Sequence, residues 1–243
     1  MDGAFGGGSL VLAGYEGLLG ELVAEAQRDD EVVGVLLTGS LARGDALPGT
    51  DVDLRVILGD GMSRPALHEV RGGVPVEWGY ADERSARDAL KKAPMHVYAY
   101  LDGRILHDPE GVLARLRQHA QERFEGYRVS DAERAELAAN LRYPAEKIRI
   151  AMAGGDLLKA AFVTATTSWY LMEGLWAASD RPLPPNSSVR PHLGDLAGPP
   201  EVEKLYGELF VADVERRVEV ALSLYDWVLG ELGEGRPAGG SPG

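Results

Sequence analysis

Every strand-like run in this chain lies before residue 109, and all that follows reads as helix; that segregation most constrains the fold. "VVGVLLTG" (32–39) and "DVDLRVIL" (51–58) are short apolar runs of the kind that form buried strands. "VPVEWGY" (74–80), bounded by Gly-Gly, alternates as a third strand would. "VYAYLDGRILHD" (97–108) sets two apolar runs around Asp102-Gly103, a hairpin signal. "DERSARDALKK" (82–92) reads as a helix between them. Leu12, Tyr15, Leu19, Leu22, Val23 and Ala26 recur at helical spacing ahead of the first strand.

Beyond Asp108 come "PEGVLARLRQHAQERF" and "DAERAELAANLRY", where Pro144 is expected to kink or restart the helix. "DLLKAAFVTATTSWYLMEGLWAAS" (156–179) follows, with Asp156 as its N-cap. After the connector "DRPLPPNSSVRP", the run "DVERRVEVALSLYDWVLGEL" (213–232) carries one apolar stripe through Val214, Val218, Ala221 and Tyr225. The pattern is α+β: an N-terminal mixed-sheet domain over 10–108, then a C-terminal all-α helical bundle over 109–232. The Gly/Pro/Ser-rich ends, 1–9 and 233–243, are expected to be disordered tails.

Apolar residues are 45 % of the 243, enough to bury a substantial core. There is no cysteine, which excludes disulfides and thiolate metal sites. Twenty-five basic against 38 acidic residues give a net charge of −13. A duplex-binding surface needs clustered Lys and Arg, so long nucleic acid is not an expected partner. An acidic surface instead favours cationic small molecules. The N-terminus lacks the basic-then-apolar pattern of a signal peptide, and no stretch reaches the roughly 18–20 apolar residues that span a bilayer. A cytoplasmic protein without membrane contact is expected.

The residues that ask for an explanation are Asp51 and Asp53, two carboxylates on an otherwise apolar strand. Strand residues i and i+2 share a face, with Cα atoms about 6.5–7 Å apart. Unpaired, two such carboxylates repel and one takes up a proton. A divalent cation removes that conflict, and Mg²⁺ is held by carboxylates together with substrate phosphates. Two-metal sites for phosphoryl transfer hold their ions about 3.5–4 Å apart, within the span of such a pair. Upstream, Gly39 permits close backbone approach, and Ser40 with the following N–H groups can donate to anionic oxygens. Arg43, a helical turn later, can meet phosphates from the same side. Glu77, set between Val76 and Trp78, is the third acid: a metal ligand, or the base for an attacking hydroxyl.

"GSLARGDALPGTDVDL" resembles the Gly-Ser…Asp-x-Asp signature of the polymerase-β-like nucleotidyltransferase superfamily. The resemblance is strong over residues 33–58 and extends to about 108. The order of sheet domain and helical bundle is similar to the kanamycin- and lincosamide-type antibiotic nucleotidyltransferases. That resemblance implies transfer of a nucleoside monophosphate, with ATP the expected donor, to a hydroxyl of a small-molecule, aminoglycoside-like acceptor, with release of pyrophosphate. It implies Mg²⁺, two ions, on Asp51, Asp53 and Glu77, and triphosphate contacts from Gly39, Ser40 and Arg43. It also implies an alternative base, Glu146 in "YPAEKIRI", whose other reading is a surface partner of Arg149. Homodimers occur among such relatives.

Lys147 and Lys159 are read as solvated helix lysines. Trp169, Tyr170 and Trp176, at helical spacing with Phe162, Leu171, Met172 and Leu175, are read as bundle core rather than a stacking platform. The five histidines show no metal-binding spacing. Two other functions remain open: an antitoxin-type enzyme that adenylylates a partner protein, and a nucleotide-binding regulatory module without catalysis. The second helical half argues against the first, and the intact acid set against the second.

Overall fold

A computed structural model describes residues 7–233, and side chains from residue 12 onward. Most of both expected tails, 1–6 and 234–243, lies outside the described residues; residues 7–9 already open the first helix. The chain divides into two compact units, 1–126 and 127–243.

Unit 1 runs α1 (Gly7–Ala26), β1 (Val32–Thr38), α2 (Gly39–Arg43), β2 (Val52–Leu58), β3 (Leu67–Arg71), β4 (Val74–Asp82), α3 (Glu83–Lys92), α4 (Val97–Leu101), β5 (Arg104–His107) and α5 (Val112–Glu125). The five strands form one mixed sheet in the order β3-β4-β2-β1-β5. β2 runs parallel to β4, and the other neighbours are antiparallel.

Alternation along β2 assigns the two faces. Val52, Leu54 and Val56 pack with Val35, Leu37 and Trp78 beneath α1, whose Tyr15, Leu19 and Leu22 meet them. The opposite face carries Asp51, Asp53, Arg55 and Ile57. At its deep end Ile57 and Leu36 are sealed by Leu90, Val97, Tyr98, Leu113 and Leu116 of α3, α4 and α5. The acids thus stand where this second layer begins.

Two expectations for unit 1 need correction, and one strand goes unread in the sequence. Residues 97–108 are not a hairpin: Val97–Leu101 is the helix α4, and β5 pairs with β1 instead. Consecutive apolar residues served helix burial here, since Val97, Tyr98 and Tyr100 are all buried. A strand missed in the sequence, β3, is an exposed edge with little apolar alternation; Gly72 and Gly73, at φ 58° and 87°, turn it into β4. And α5, grouped above with the helical half, packs into unit 1 through Leu113 and Leu116.

Unit 2 comprises α6 (Asp131–Ala153), α7 (Leu157–Ala178), two short 3₁₀ turns (Asn186–Ser188 and Arg190–Asp195), α8 (Val202–Val211) and α9 (Val214–Gly233). Ser130 and Glu133 form a reciprocal capping box that starts α6. Pro144 neither breaks nor restarts that helix; it lies buried inside it, supplying no N–H to the carbonyl one turn before. The core joins Leu141, Ala145 and Ile148 of α6 to Leu171, Leu175 and Trp176 of α7 and Val218, Ala221 and Tyr225 of α9. The expectation that all the α7 aromatics are core fails: Trp176 is fully buried, but Phe162, Trp169 and Tyr170 are 66 %, 41 % and 56 % exposed. Only one stripe of a helix can face its neighbours, and these three lie off it.

Candidate active site

Gly39 closes β1 and opens α2 with φ +70°, a conformation that residues with a β-carbon rarely adopt. The same residue lies against Asp53: a β-carbon there would stand 2.0 Å from Asp53 Oδ2. Glycine is therefore required twice at one position, by the turn and by the carboxylate.

The parallel pairing of β2 with β4 sets Asp53 directly beside Glu77, and Val52 beside Val76. Antiparallel pairing with β1 places Asp53 opposite Thr38, whose hydroxyl donates to the Asp53 carbonyl at 3.3 Å. Glu77 is half exposed, with its Oε1 3.2 Å from Nδ1 of His68, its register partner on β3. Burial holds the Asp53 carboxyl above its usual pKa, and the nearby charges of Asp51 and Glu77 push it further; Arg43 and Arg55 oppose the rise. The three acids therefore form one electrostatic group. A hard-oxygen donor set in which two carboxylates oppose the ionisation of the third suits a divalent cation. Among the described residues no three such side chains already converge tightly enough to enclose an ion.

Ser40 and Arg43 stand where the sequence places them, on α2. Arg43 is largely buried and its Nε lies 3.2 Å from Asp45 Oδ1, so it is engaged locally while still acting on Asp53. Glu146 belongs to α6 of unit 2. It is exposed, 3.9 Å from Arg149 Nη1, the surface pairing that its spacing allows.

Sequence reasoning missed Thr50. Its Oγ1 lies 3.0 Å from Ser40 Oγ and donates to Asp51 Oδ1 at 3.3 Å, while its carbonyl accepts from the Tyr15 hydroxyl at 2.9 Å. One residue thus ties Ser40, the first aspartate and α1 together. Arg55 was missed as well, although the period-2 rule that pairs Asp51 with Asp53 puts it on the same face. Its guanidinium lies over the Tyr100 ring, 5.8 Å from the centroid.

The fold and this acid set define a class, a mixed-sheet domain carrying Gly-Ser and a paired-aspartate strand. Residues 19–128 match the family model of the nucleotidyltransferase domain, a stretch that covers all five strands of the sheet unit. The match supports nucleotidyl transfer as the general chemistry of that unit. No curated protein matches. Among solved structures, a nucleotidyltransferase-like protein from Exiguobacterium sibiricum is 18 % identical, with a TM-score of 0.42 over 86 % of this chain and 72 % of that one. Among the described residues no helix is long and apolar enough to cross a membrane.

Proposed function

We propose that this protein is a Mg²⁺-dependent nucleotidyltransferase that moves a nucleoside monophosphate, AMP from ATP in the first instance, onto a hydroxyl of a small molecule. The observation that carries this reading is the pairing of Asp53 with Glu77 across parallel strands, with Asp51 on the same face and Gly39 making room for the Asp53 carboxylate. The family match of residues 19–128 supports it independently.

Asp51, Asp53 and Glu77 are the residues that would hold the metal, which when bound supplies charge neutralisation on the phosphates. The chain's own groups do the rest. Ser40 and Arg43 bind the triphosphate, and Thr50 keeps Ser40 and Asp51 in mutual register. The acceptor oxygen bonds to the α-phosphorus as the bond to the bridging oxygen breaks, and pyrophosphate leaves with that electron pair. The acceptor proton passes to a carboxylate, Glu77 or Glu146. Positioning and electrostatics dominate such transfers.

Unit 2 is the part we assign to acceptor binding. The net charge of −13 supports an acceptor rich in amines, as aminoglycoside-like compounds are. The need for ATP and Mg²⁺ supports a cytoplasmic setting. The test is pyrophosphate release from each of the four NTPs with Mg²⁺ against aminoglycosides, lincosamides and simple sugars, with Asp53→Ala as control. Release that depends on one acceptor and vanishes in the variant supports the reading. Equal release by the variant overturns it, and NTP binding without release for any acceptor directs the search to a protein target.

A further inference from the structure

Arg55 stands next after Asp51 and Asp53 on their face of β2, and it is half-buried. Its charge acts on the Asp53 carboxyl, yet among the described residues it makes no ion pair with a carboxylate. What holds it is Tyr100 of α4: the guanidinium lies over that buried ring, and the Tyr100 hydroxyl accepts a hydrogen bond from it. Its register partner on β4 is Gly79, which sets no side chain beside it; a β-carbon there would find nothing nearer than Leu54 O, at 3.7 Å. On the other flank its partner is the buried Leu36. His96, just before α4, is half-buried and close enough to feel the Arg55 charge. It too has no hydrogen bond or ion pair among the described residues.

An arginine beside carboxylates ordinarily pairs with one through its planar fork. Here the ring holds the cation while most of its N–H donors go unused. A partly desolvated guanidinium with unused donors is costly unless an anion meets it. The acids of this face, Asp51, Asp53 and Glu77, are assigned to the metal, so that anion belongs to a ligand. We propose that Arg55 binds a phosphate ester of the substrate, with His96 as a second donor. The proposal rests on the transfer reading and adds a residue to it. Ser40 meets Thr50 where β2 begins, whereas Arg55 lies two residues beyond Asp53, about 6.5–7 Å along the strand. The two therefore bracket the acids: pyrophosphate at the Ser40 end, and at the Arg55 end the phosphate that is transferred. Arg55 takes no proton and forms no covalent bond; it holds the non-bridging oxygens of that phosphate as charge shifts onto them. A phosphate carried by the acceptor would offer the same chemistry, and the experiment separates the two sources.

The experiment titrates the full chain calorimetrically with AMP, ATP and pyrophosphate in the presence of Mg²⁺, as wild type, Arg55→Met and Arg55→Lys. Arg55→Met should weaken AMP and ATP by at least about tenfold and pyrophosphate by no more than about twofold. Arg55→Lys, which keeps the charge but not the fork, should lie between wild type and Arg55→Met. Mg²⁺ alone should raise the melting temperature of Arg55→Met at least as much as that of wild type, because a cation that repels it is gone. A merely damaged site would lose both ligands. Glucose 6-phosphate is then titrated onto protein saturated with Mg²⁺ and the non-transferable α,β-methylene analogue of ATP. Binding there that needs Arg55, with nucleotide affinity unchanged, supports the proposal with the acceptor as the source of the phosphate. Arg55→Met that weakens AMP and pyrophosphate alike, or that alters neither AMP nor glucose 6-phosphate, overturns the proposal and leaves the transfer reading standing. Wild type that binds no nucleotide overturns both.

Discussion

A β-carbon on Gly39 would stand 2.0 Å from Asp53 Oδ2, so the turn after β1 and the acid on β2 share one space. Gly39→Ala must displace one or the other, and it also strains a backbone held at φ +70°. The strain alone costs about 1–3 kcal/mol. Urea unfolding should register that loss, and binding of Mg²⁺-ATP should fall with it. An alanine variant of unchanged stability and nucleotide affinity would show that the close approach is not maintained in solution.

Asp53 gives a pH dependence of opposite sign to the usual salt-bridged aspartate. Its folded pKa is raised, first by burial and then by Asp51 and Glu77. The native state therefore holds this proton to higher pH than the unfolded chain, and stability is lost as pH rises from about 3.9 through the folded pKa. Asp53→Asn should accordingly melt higher than wild type at pH 7, by about 2–4 °C per kcal/mol of relieved repulsion, and should converge with it near pH 3.5. Differential scanning calorimetry at the two pH values measures both points.

Added Mg²⁺ should act in the contrary direction. A cation that binds only the folded acid set stabilises by mass action, so millimolar Mg²⁺ should raise the wild-type melting temperature and leave Asp53→Asn unmoved. Equal responses would place the metal elsewhere on this acidic protein.

On the proposed function, Thr50 positions Ser40 and Asp51. Thr50→Val keeps the shape and the backbone carbonyl that takes the Tyr15 hydroxyl, but removes the Oγ1 contacts to Ser40 and Asp51. Stability should change by no more than about 1 kcal/mol. Nucleotide affinity should fall by roughly three- to tenfold, with Thr50→Ser restoring most of it. A purely structural threonine would not be rescued in affinity by serine.

Asp180 supplies the ordinary case in unit 2. Burial opposes its ionisation, but the Val129 N–H at 3.1 Å and the Arg134 guanidinium at 2.6 Å outweigh it and its pKa is lowered. Its contribution is present above the unfolded value of about 3.9 and is lost as pH falls through the folded one. Asp180→Asn should cost about 1–3 kcal/mol at pH 7. The deficit should shrink toward pH 3, which chemical denaturation at both pH values tests.

Much of this was legible before any coordinates. Asp51 and Asp53 share a face because backbone geometry repeats every two residues in a strand, and Gly39 announced a turn because only glycine takes that φ readily. The helices of unit 2 followed from 3.6-residue periodicity and, for α7, from the cap at Asp156. Residues 97–101 misled because a short apolar run satisfies either period, and length and partners must arbitrate. Trp169 and Tyr170 misled because apolarity does not say which stripe of a long helix meets its neighbours.

Local geometry thus came from the sequence alone for most elements, though not for Val97–Leu101 or β3, and for the shared face of the two aspartates and the glycine before them. Tertiary structure decided which strands became neighbours. Only the parallel docking of β4 on β2 sets Glu77 beside Asp53, only the return of the loop brings Thr50 between Ser40 and Asp51, and only helix packing leaves Trp176 buried with its N–H unanswered. The division has one physical cause. Periodicity is written in bonds between adjacent residues, whereas pairing and burial depend on free energies summed over residues far apart in the chain.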